Sequence, residues 1–439
     1  MRTTRKKTLF FILLLSLVSF NCKKQKDPPP PPVITLPTVS TGAVSSITSA
    51  AVTAAGTVSD DGGATVTVRG FCWSTSPNPV VTGNHSTDGS GIGSFNHTIT
   101  GLTPSTNYYI RAYATNSVGT AYGNEVPFST TAPAVYAVGF ENNLTGFAPL
   151  LWKNGIVSSL QNGTLDASLY SLFVTDTDVY TAGYEEHPLN YAATVWKNGV
   201  ATYLTNGGTR AVAYAVFVSG ADVYVAGYEE NATKKIAKVW KNGVAVPLTN
   251  GTNHAVAYAV FVSGADVYVA GYEHNGSKEV AKYWKNGVAV SLTNGANDAE
   301  GSSVYISGTD VYVAGFEFNA TNNVARLWKN GVSVSLQNGP LSSYAASVVV
   351  NGADVYAAGA EYTGTRFQAK YWKNGIATFL PAGSLDYYGS SIFIYGADVY
   401  VAGQENIGPQ AIAKLWKNGV AVPLANSSFT GGANAVFVK

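Results

Sequence analysis

A strict internal repeat of 44 residues constrains the fold of this chain more than any other feature of its sequence. The tetrapeptide Trp-Lys-Asn-Gly returns at that interval, beginning at Trp152, Trp196, Trp240, Trp284, Trp328, Trp372 and Trp416. A Val-Tyr pair keeps the same spacing, with its tyrosine at Tyr136, Tyr180, Tyr224, Tyr268, Tyr312, Tyr356 and Tyr400. A period of about 40 to 50 residues with strand-like content is typical of the blades of a β-propeller.

Each repeat has the pattern of four short strands. In one of them the apolar runs are 215–218, 223–229, 236–240 and 244–248, with turn residues between them. Asn242 and Gly243 suit a two-residue hairpin turn because both residue types tolerate positive φ. We therefore predict one four-stranded antiparallel blade for each repeat.

The two ends of the repeat region predict that the ring of blades closes. The chain enters at a second strand, 135–139, and finishes with a first strand, 435–438. The last strand then completes the blade that the first part of the region begins, which removes two exposed sheet edges. We predict a seven-bladed β-propeller over 133–439. The strand order and the Val-Tyr-x-x-Gly strand are similar to those of Kelch-type propellers.

The N-terminus resembles the signal of a bacterial lipoprotein. Four basic residues among the first seven precede an apolar run at 9–18, and Cys22 follows where such a signal ends. The resemblance implies a signal peptide over 1–22, a lipid on Cys22 and an anchor in the bacterial outer membrane, on either its surface or its periplasmic face. An ordinary secretory signal with an incidental cysteine is the alternative. Residues 23–36, with prolines throughout 28–32, predict an extended linker.

Residues 37–132 have the short strands and turns of a β-sandwich. Within this part a Leu-x-Pro-x-Thr-x-Tyr pattern ends at Tyr108. The pattern resembles the tyrosine corner of a fibronectin type III domain, which implies a spacer or adhesion module without chemistry of its own. Cys72 lies in an apolar strand pattern, so we expect a buried side chain rather than a reactive thiol.

Comparison of the repeats with one another predicts two different faces. The turns after the first and third strands scarcely vary, whereas the other loops differ freely, as in 185–190, 273–277 and 361–366. Loops on a rigid scaffold commonly carry binding functions. We therefore expect the recognition surface on the variable face. The repeated lysines and aspartates of the invariant face largely cancel, which predicts a solvated rim rather than an anion site.

One residue next to the variable loops is constant. It is a glutamate, at Glu141, Glu185, Glu229, Glu273, Glu317, Glu361 and Glu405. Five of the seven follow an aromatic residue, namely Phe140, Tyr184, Tyr228, Tyr272 and Phe316. One interpretation is a ring of seven equivalent sugar or cation sites, each with a carboxylate beside an aromatic ring.

The other interpretation of the glutamates, which we favour, is structural. Each carboxylate would bind backbone N–H groups of a neighbouring loop or pair with a basic residue of the third strand. That basic residue is present in five repeats, as Lys238, Lys282, Arg326, Lys370 and Lys414. Leu150 and Thr194 hold the position in the other two, so pairing alone does not account for all seven glutamates.

The sequence carries no motif that points to catalysis, a metal or a cofactor. His187, His254 and His274 occupy different repeat positions and lack metal-ligand spacing. The formal net charge of +1 predicts no strong attraction to nucleic acid. We expect a monomeric, non-catalytic binding or adhesion protein that recognises a glycan or a protein. The alternatives are a structural subunit that docks another envelope protein and, less favoured, a polysaccharide hydrolase or lyase.

Overall fold

The computed structural model describes residues 32–143, 146–160, 166–336, 341–381, 386–407, 410–422, 424 and 430–439. Every helix or strand assigned in these ranges is a β-strand, and none of their elements is a helix that could cross a membrane. Contacts divide the chain into two compact units, with the boundary between Thr131 and Ala132. The predicted signal peptide, Cys22 and residues 23–31 of the predicted linker lie outside the described residues.

The first unit contains two antiparallel sheets. Its strands are β1 (Thr38–Thr41), β2 (Ala51–Asp60), β3 (Val68–Ser74), β4 (Asn84–His85), β5 (Gly93–Thr100), β6 (Asn107–Thr115), β7 (Thr120–Tyr122) and β8 (Val126–Ser129). One sheet has the order β1-β2-β5, and the other has the order β4-β3-β6-β7, with β8 also paired to β6. Side chains of both sheets share one core, in which Val52 and Ala54 of β2 lie in the same cluster as Phe71 and Ile110.

Tyr108 joins the core of the first unit to its backbone. The backbone N–H of Thr103 donates a hydrogen bond to the Tyr108 hydroxyl oxygen at 3.0 Å, and the ring stacks on Phe128. The prediction of a buried Cys72 is confirmed, because its side chain is fully buried and forms no disulfide. Burial raises the pKa of the Cys72 thiol to about 11, which keeps it protonated and unreactive near neutral pH.

The second unit consists of 28 strands in the described residues. Sheet 1 contains β9 (Val135–Asn143), β10 (Gly146–Lys153), β11 (Ile156–Ser159) and the last strand, β36 (Thr430–Val438). Sheet 2 is β12 (Ala167–Val174), β13 (Val179–Glu186), β14 (Tyr191–Lys197) and β15 (Val200–Tyr203); sheet 3 is β16 (Ala211–Ser219), β17 (Asp222–Glu230), β18 (Lys235–Lys241) and β19 (Val244–Pro247). Sheet 4 is β20 (Ala255–Ser263), β21 (Asp266–His274), β22 (Glu279–Lys285) and β23 (Val288–Ser291); sheet 5 is β24 (Ala299–Ser307), β25 (Asp310–Phe318), β26 (Asn323–Lys329) and β27 (Val332–Ser335). Sheet 6 is β28 (Ser343–Asn351), β29 (Asp354–Tyr362), β30 (Phe367–Lys373) and β31 (Ile376–Phe379); sheet 7 is β32 (Tyr387–Tyr395), β33 (Asp398–Ile407), β34 (Gln410–Lys417) and β35 (Val420–Val422).

Each of these sheets is antiparallel and pairs its strands in the order in which they follow one another in a repeat. The first strands of neighbouring sheets contact one another from β12 through β16, β20, β24, β28 and β32 to β36, and β36 contacts β12 again. In sheet 1, β36 pairs with β9, and Val438 lies opposite Val135. This arrangement of repeated four-stranded sheets is that of a β-propeller, as the repeat predicts.

A β-bulge in the first strand explains a constant glycine in the second. In sheet 3 the register shifts between Ala213 and Ala215, so Tyr214 is the extra residue. A Cβ on the opposing Gly227 would lie 1.9 Å from the carbonyl oxygen of Val212. No other residue type fits there, and the same close approach recurs in every sheet, at Gly139, Gly183, Gly271, Gly315, Gly359 and Gly403.

The tryptophan of each repeat holds neighbouring sheets together. Trp284 of sheet 4 is fully buried in a cluster with Tyr224, Ala226 and Val239 of sheet 3. Trp152 of sheet 1 packs in the same way with residues of sheet 7. Burying an aromatic side chain of this size is worth about 1.5–3 kcal/mol or more, so the Trp-Lys-Asn-Gly signature marks the contacts between sheets.

The first strand is the element whose length the sequence predicted least well. The predicted run 215–218 belongs to a strand over Ala211–Ser219. The bulge at Tyr214 interrupts the alternation of side chains, so the residues before it did not fit a strand pattern. The predicted second, third and fourth strands agree with β17, β18 and β19 to within one residue at either end.

Candidate functional site

The seven glutamates lie near the variable ends of the second strands, and most of them are paired. In five sheets the carboxylate meets the basic residue of the third strand. The pairs are Glu229 with Lys238 at 2.5 Å, Glu273 with Lys282 at 2.7 Å, Glu317 with Arg326 at 3.1 Å, Glu361 with Lys370, and Glu405 with Lys414 at 2.7 Å. Both side chains of these pairs are at most 29% exposed. The pairs connect strands inside a sheet, as the structural interpretation expects.

The two glutamates whose sheets lack a basic residue at that third-strand position have different surroundings. Glu185 of sheet 2 is buried, and Tyr203 of the outermost strand is hydrogen-bonded to it. Burial, together with this carboxylate, raises the pKa of Tyr203. Glu141 of sheet 1 is partly buried, and Leu150 occupies the position of the basic residue beside it.

The structure does not bring each glutamate together with the aromatic residue that precedes it. Successive side chains of a strand point to opposite faces of the sheet, so Tyr228 and Glu229 point away from each other. Tyr184, Tyr228 and Tyr272 instead form one buried cluster that also contains Tyr214 and Tyr258. Phe140 and Phe316 are partly buried.

The aromatic residue that shares a face with the glutamate is the repeated tryptophan. Gly227 and Val225 lie opposite Lys238 and Trp240 in the pairing of β17 with β18. Residues two apart along a strand lie on one face, so Glu229 shares its face with Lys238 and Trp240. A comparison of neighbours along the chain does not show this relationship, because it joins residues of different strands. The signal that could have shown it is the hairpin turn between the second and third strands together with the alternation of side chains. These two features place the glutamate and the tryptophan on the same face of the sheet.

A cleft of about 650 Å³ lies between sheets 2 and 3 at the variable ends of the strands. Its lining includes Glu229, Trp240 and Ala245 of sheet 3, and His187, Tyr203, Leu204, Thr205 and Asn206 of sheet 2 and its loops. Both oxygens of the Glu229 carboxylate are engaged, since Thr209 donates to one at 3.1 Å and Lys238 lies 2.5 Å from the other. The ring of His187 meets that of Tyr203 edge to face, with centroids 4.9 Å apart.

The neighbouring interface, between sheets 1 and 2, has a smaller cleft of about 180 Å³ at the corresponding position. Glu185, Trp196 and Ala201 take the places of Glu229, Trp240 and Ala245. Tyr203 lines both clefts, so this side chain forms part of the wall between them. A third cleft, of about 330 Å³, lies around Glu273 and Lys282 in sheet 4.

The first strands of the sheets differ from one sheet to the next at the bulge position. At the bulge position Tyr170, Tyr214 and Tyr258 are followed around the ring by small or polar residues, namely Ser302, Ala346, Ser390 and Asn434. The three tyrosine rings contact one another in sequence, with centroids 5.1 and 5.2 Å apart. At the bulge position itself, aromatic residues are therefore confined to sheets 2, 3 and 4.

Glu300, in the first strand of sheet 5, is an acid with a strongly raised pKa. It is held in a mostly buried position next to Glu279 and Tyr258. Burial and the neighbouring charge of Glu279 raise the pKa of Glu300 to about 7, while a hydrogen bond from Tyr258 and the charge of Lys235 act in the opposite direction.

The invariant face carries a repeated set of three polar side chains. In sheet 3 Asp222 accepts a hydrogen bond from the Asn242 side chain at 2.7 Å and pairs with Lys241 at 2.7 Å. Asn242 in turn accepts the backbone N–H of Val223, and Lys241 lies over the ring of Tyr224. Lys241 and Asn242 hold the pKa of Asp222 below its ordinary value. The same aspartate–lysine pair occurs in sheets 2 to 7, so the charges of this face are largely neutralised within each of those six sheets.

Within the described ranges no group of three or more His, Cys, Asp or Glu side chains is placed to hold a metal ion. The three histidines of the second unit have different surroundings and different hydrogen-bond partners. His187 lines the cleft between sheets 2 and 3, His254 accepts the backbone N–H of Lys235, and His274 accepts that of Gly276.

The solved structures that resemble this chain include the following two. TolB from Acinetobacter baumannii is 9% identical, with a TM-score of 0.40, over 75% of this chain and 79% of TolB. The sensor domain of the anti-sigma factor RsgI4 from Pseudobacteroides cellulosolvens is 18% identical, with a TM-score of 0.19, over 23% of this chain and 98% of that domain. No protein-family profile matches the chain. No curated protein matches it either.

Proposed function

We propose that this chain is a non-catalytic lipoprotein of the bacterial envelope that binds a glycan or a protein through the variable face of its propeller. The observation that carries the proposal is the cleft of about 650 Å³ among the variable loops of sheets 2 and 3. The constant side chains of the repeat are occupied with one another in salt bridges and in packing between sheets. The loop residues around the cleft differ between sheets, which suits a recognition surface on a rigid scaffold.

The remaining parts of the chain have supporting roles in this proposal. Cys22 would carry the lipid, and the proline-rich segment would keep the folded units away from the membrane. We propose that residues 37–132 form a fibronectin type III-like spacer, a view supported by the Tyr108–Thr103 hydrogen bond. We also propose that the second unit is a closed seven-bladed, distantly Kelch-like ring; the pairing of β36 with β9 supports this closure.

A glycan array with the full-length chain in detergent tests the binding function. Saturable binding that is lost when the loops 187–190 and 205–209 are replaced by the equivalent residues of another sheet would support recognition through the variable face. If the array is negative, cross-linking in the native envelope should capture a protein through residues of the same loops. Absence of both results would contradict the proposal. Membrane release of the Cys22→Ser variant tests the anchor separately.

A further inference from the structure

We infer that the cleft between sheets 2 and 3 is a single binding site for a neutral pyranose, the ring form of a hexose, in a glycan. This inference rests on the proposed function and assigns its ligand class and its location. The residues that would contact the sugar are His187, Tyr203, Asn206 and Glu229, with Trp240 at the base of the cleft.

The size and shape of the cleft are suited to a small ligand. Its volume of about 650 Å³ falls within the range of about 300–1,000 Å³ in which ligand pockets occur. Two aromatic residues and several polar groups converge on it. Tyr203 is 48% exposed, so part of its ring is free to pack against the C–H groups of a sugar face, as an amphipathic aromatic side chain does well.

The charges of the cleft favour a neutral ligand. Lys238 lies 2.5 Å from Glu229 Oε2, so the one carboxylate among the described lining residues is already paired within its sheet. A carboxylate has about four lone-pair positions, and Thr209 and Lys238 use two of them. The other lone-pair positions remain available to accept hydrogen bonds from ligand hydroxyls. Because Thr209 and Lys238 hold the carboxylate in place, these positions are fixed in the cleft.

An unsatisfied polar atom provides independent support. The Nε2 of His187 is buried and has no hydrogen-bond partner in the described part of the chain. Buried polar groups almost always have a partner, so each exception needs an explanation. The Trp240 indole N–H also lacks a partner, but four other repeats share that feature. His187 is the group that distinguishes this cleft; because its Nε2 has no exposed surface, a ligand hydroxyl would become its partner once the ring turns toward the cleft.

The interfaces between other sheets do not reproduce this combination. At the positions of His187 and Tyr203, the next repeat has Asn231 and Pro247. The smaller cleft between sheets 1 and 2 has its Tyr203 hydroxyl directed to Glu185. We therefore expect one sugar for each chain, whereas seven equivalent glutamate sites would bind close to seven.

Equilibrium dialysis of the full-length chain in detergent, carried to saturation with methyl glycosides of glucose, galactose, mannose and N-acetylglucosamine as probes, tests the inference. We expect at least one of them to bind with a stoichiometry of one. His187→Ala and Tyr203→Ala should each weaken this binding about tenfold or more, which corresponds to the loss of one or two good contacts. Phe379→Ala is the matched control, because Phe379 holds the position of Tyr203 in sheet 6 and is similarly exposed, at 46%, and it should leave binding unchanged.

The outcomes separate this inference from the proposed function. If a glycan binds the variable face and is unaffected by His187→Ala and Tyr203→Ala, the site assignment is wrong while the proposed function stands. A stoichiometry near seven would also overturn it. If none of the four probes and no array glycan binds, the pyranose inference fails, and only capture of a protein at the same loops would then preserve the proposed function. Melting curves of each variant exclude loss of folding as the cause.

Discussion

Lys282 Nζ lies 2.7 Å from Glu273 Oε2, diagonally across the second and third strands of sheet 4. Both side chains are about one fifth exposed, at 17% and 22%, so neither charge is fully solvated. We expect Glu273→Gln to lower the free energy of unfolding by about 1–3 kcal/mol, because it leaves a partly buried ammonium without its partner. Urea-induced unfolding, followed by tryptophan fluorescence, measures the change.

The chain contains its own control for this prediction. Glu141 has Leu150 where the other sheets have a basic residue, so Glu141→Gln should change stability by less than about 0.5 kcal/mol. Equal losses in the two variants would show that the glutamates are required for a reason other than pairing. A double-mutant cycle of Glu273→Gln with Lys282→Met then gives the pair energy directly.

The bulge in the first strand makes a second prediction. Gly227→Ala places a Cβ 1.9 Å from the Val212 carbonyl oxygen. The backbone can relieve this clash only if the first strand of the sheet moves away. We expect a loss of about 3 kcal/mol or more, at or above the upper end of overpacking costs. Gly220→Ala is the comparison in the same sheet: its φ is +59° and nothing lies near its Cβ, so only the left-handed conformation is penalised, by about 1–2 kcal/mol. Similar losses would mean that the bulge is not rigid.

The propeller could be predicted from the sequence because every repeat contains the same residues that form its strands and turns. The alternating apolar runs, the Asn-Gly hairpins and the bulge glycines occur at the same place in every unit, so a local pattern and the ring of sheets agree. The site was harder to predict. Glu229 and its pairing with Lys238 were predicted, but Trp240 and Tyr203, which line the same cleft, come from another strand and another sheet. Only the strand register and the packing of sheets place them beside Glu229.

Glu300 predicts a specific pH dependence. Because its folded-state pKa of about 7 is raised above the ordinary 4.5, folding favours the protonated acid. Its contribution to stability is fully present below about pH 4.5 and is lost as the pH rises through 7. The free energy of unfolding of the parent should therefore fall between pH 4.5 and 8 by more than that of Glu300→Gln, whose amide does not ionise.

One result of comparing Glu300→Gln with the parent would contradict this prediction. Parallel stability curves over this pH range would mean that Glu300 ionises normally in the folded chain. Glu279→Gln is a useful second variant, since removing that neighbouring charge takes away one of the causes of the raised pKa of Glu300. It should move the midpoint of the pH dependence downward without abolishing it.

The hydrogen bond at Tyr108 supports a prediction for the first unit. Tyr108→Phe removes the hydroxyl that accepts the Thr103 N–H at 3.0 Å and leaves the packing on Phe128 in place. We expect a loss of about 1–2 kcal/mol, the cost of an unpaired backbone donor. Tyr109→Phe is the matched control, because Tyr109 lies on the other face of the same strand. Equal effects would argue against a tyrosine corner.

Cys72 and Cys22 together predict how many thiols the purified chain presents. Burial and the raised pKa of about 11 protect Cys72, and a lipid on Cys22 would convert that thiol to a thioether. The native chain, isolated from membranes, should therefore react with Ellman's reagent only slowly. In guanidinium chloride it should release one thiol per chain, because unfolding exposes Cys72 and leaves its pKa near the ordinary 9.0. A second thiol that reacts rapidly before unfolding would place a free cysteine at position 22 and contradict the lipid anchor.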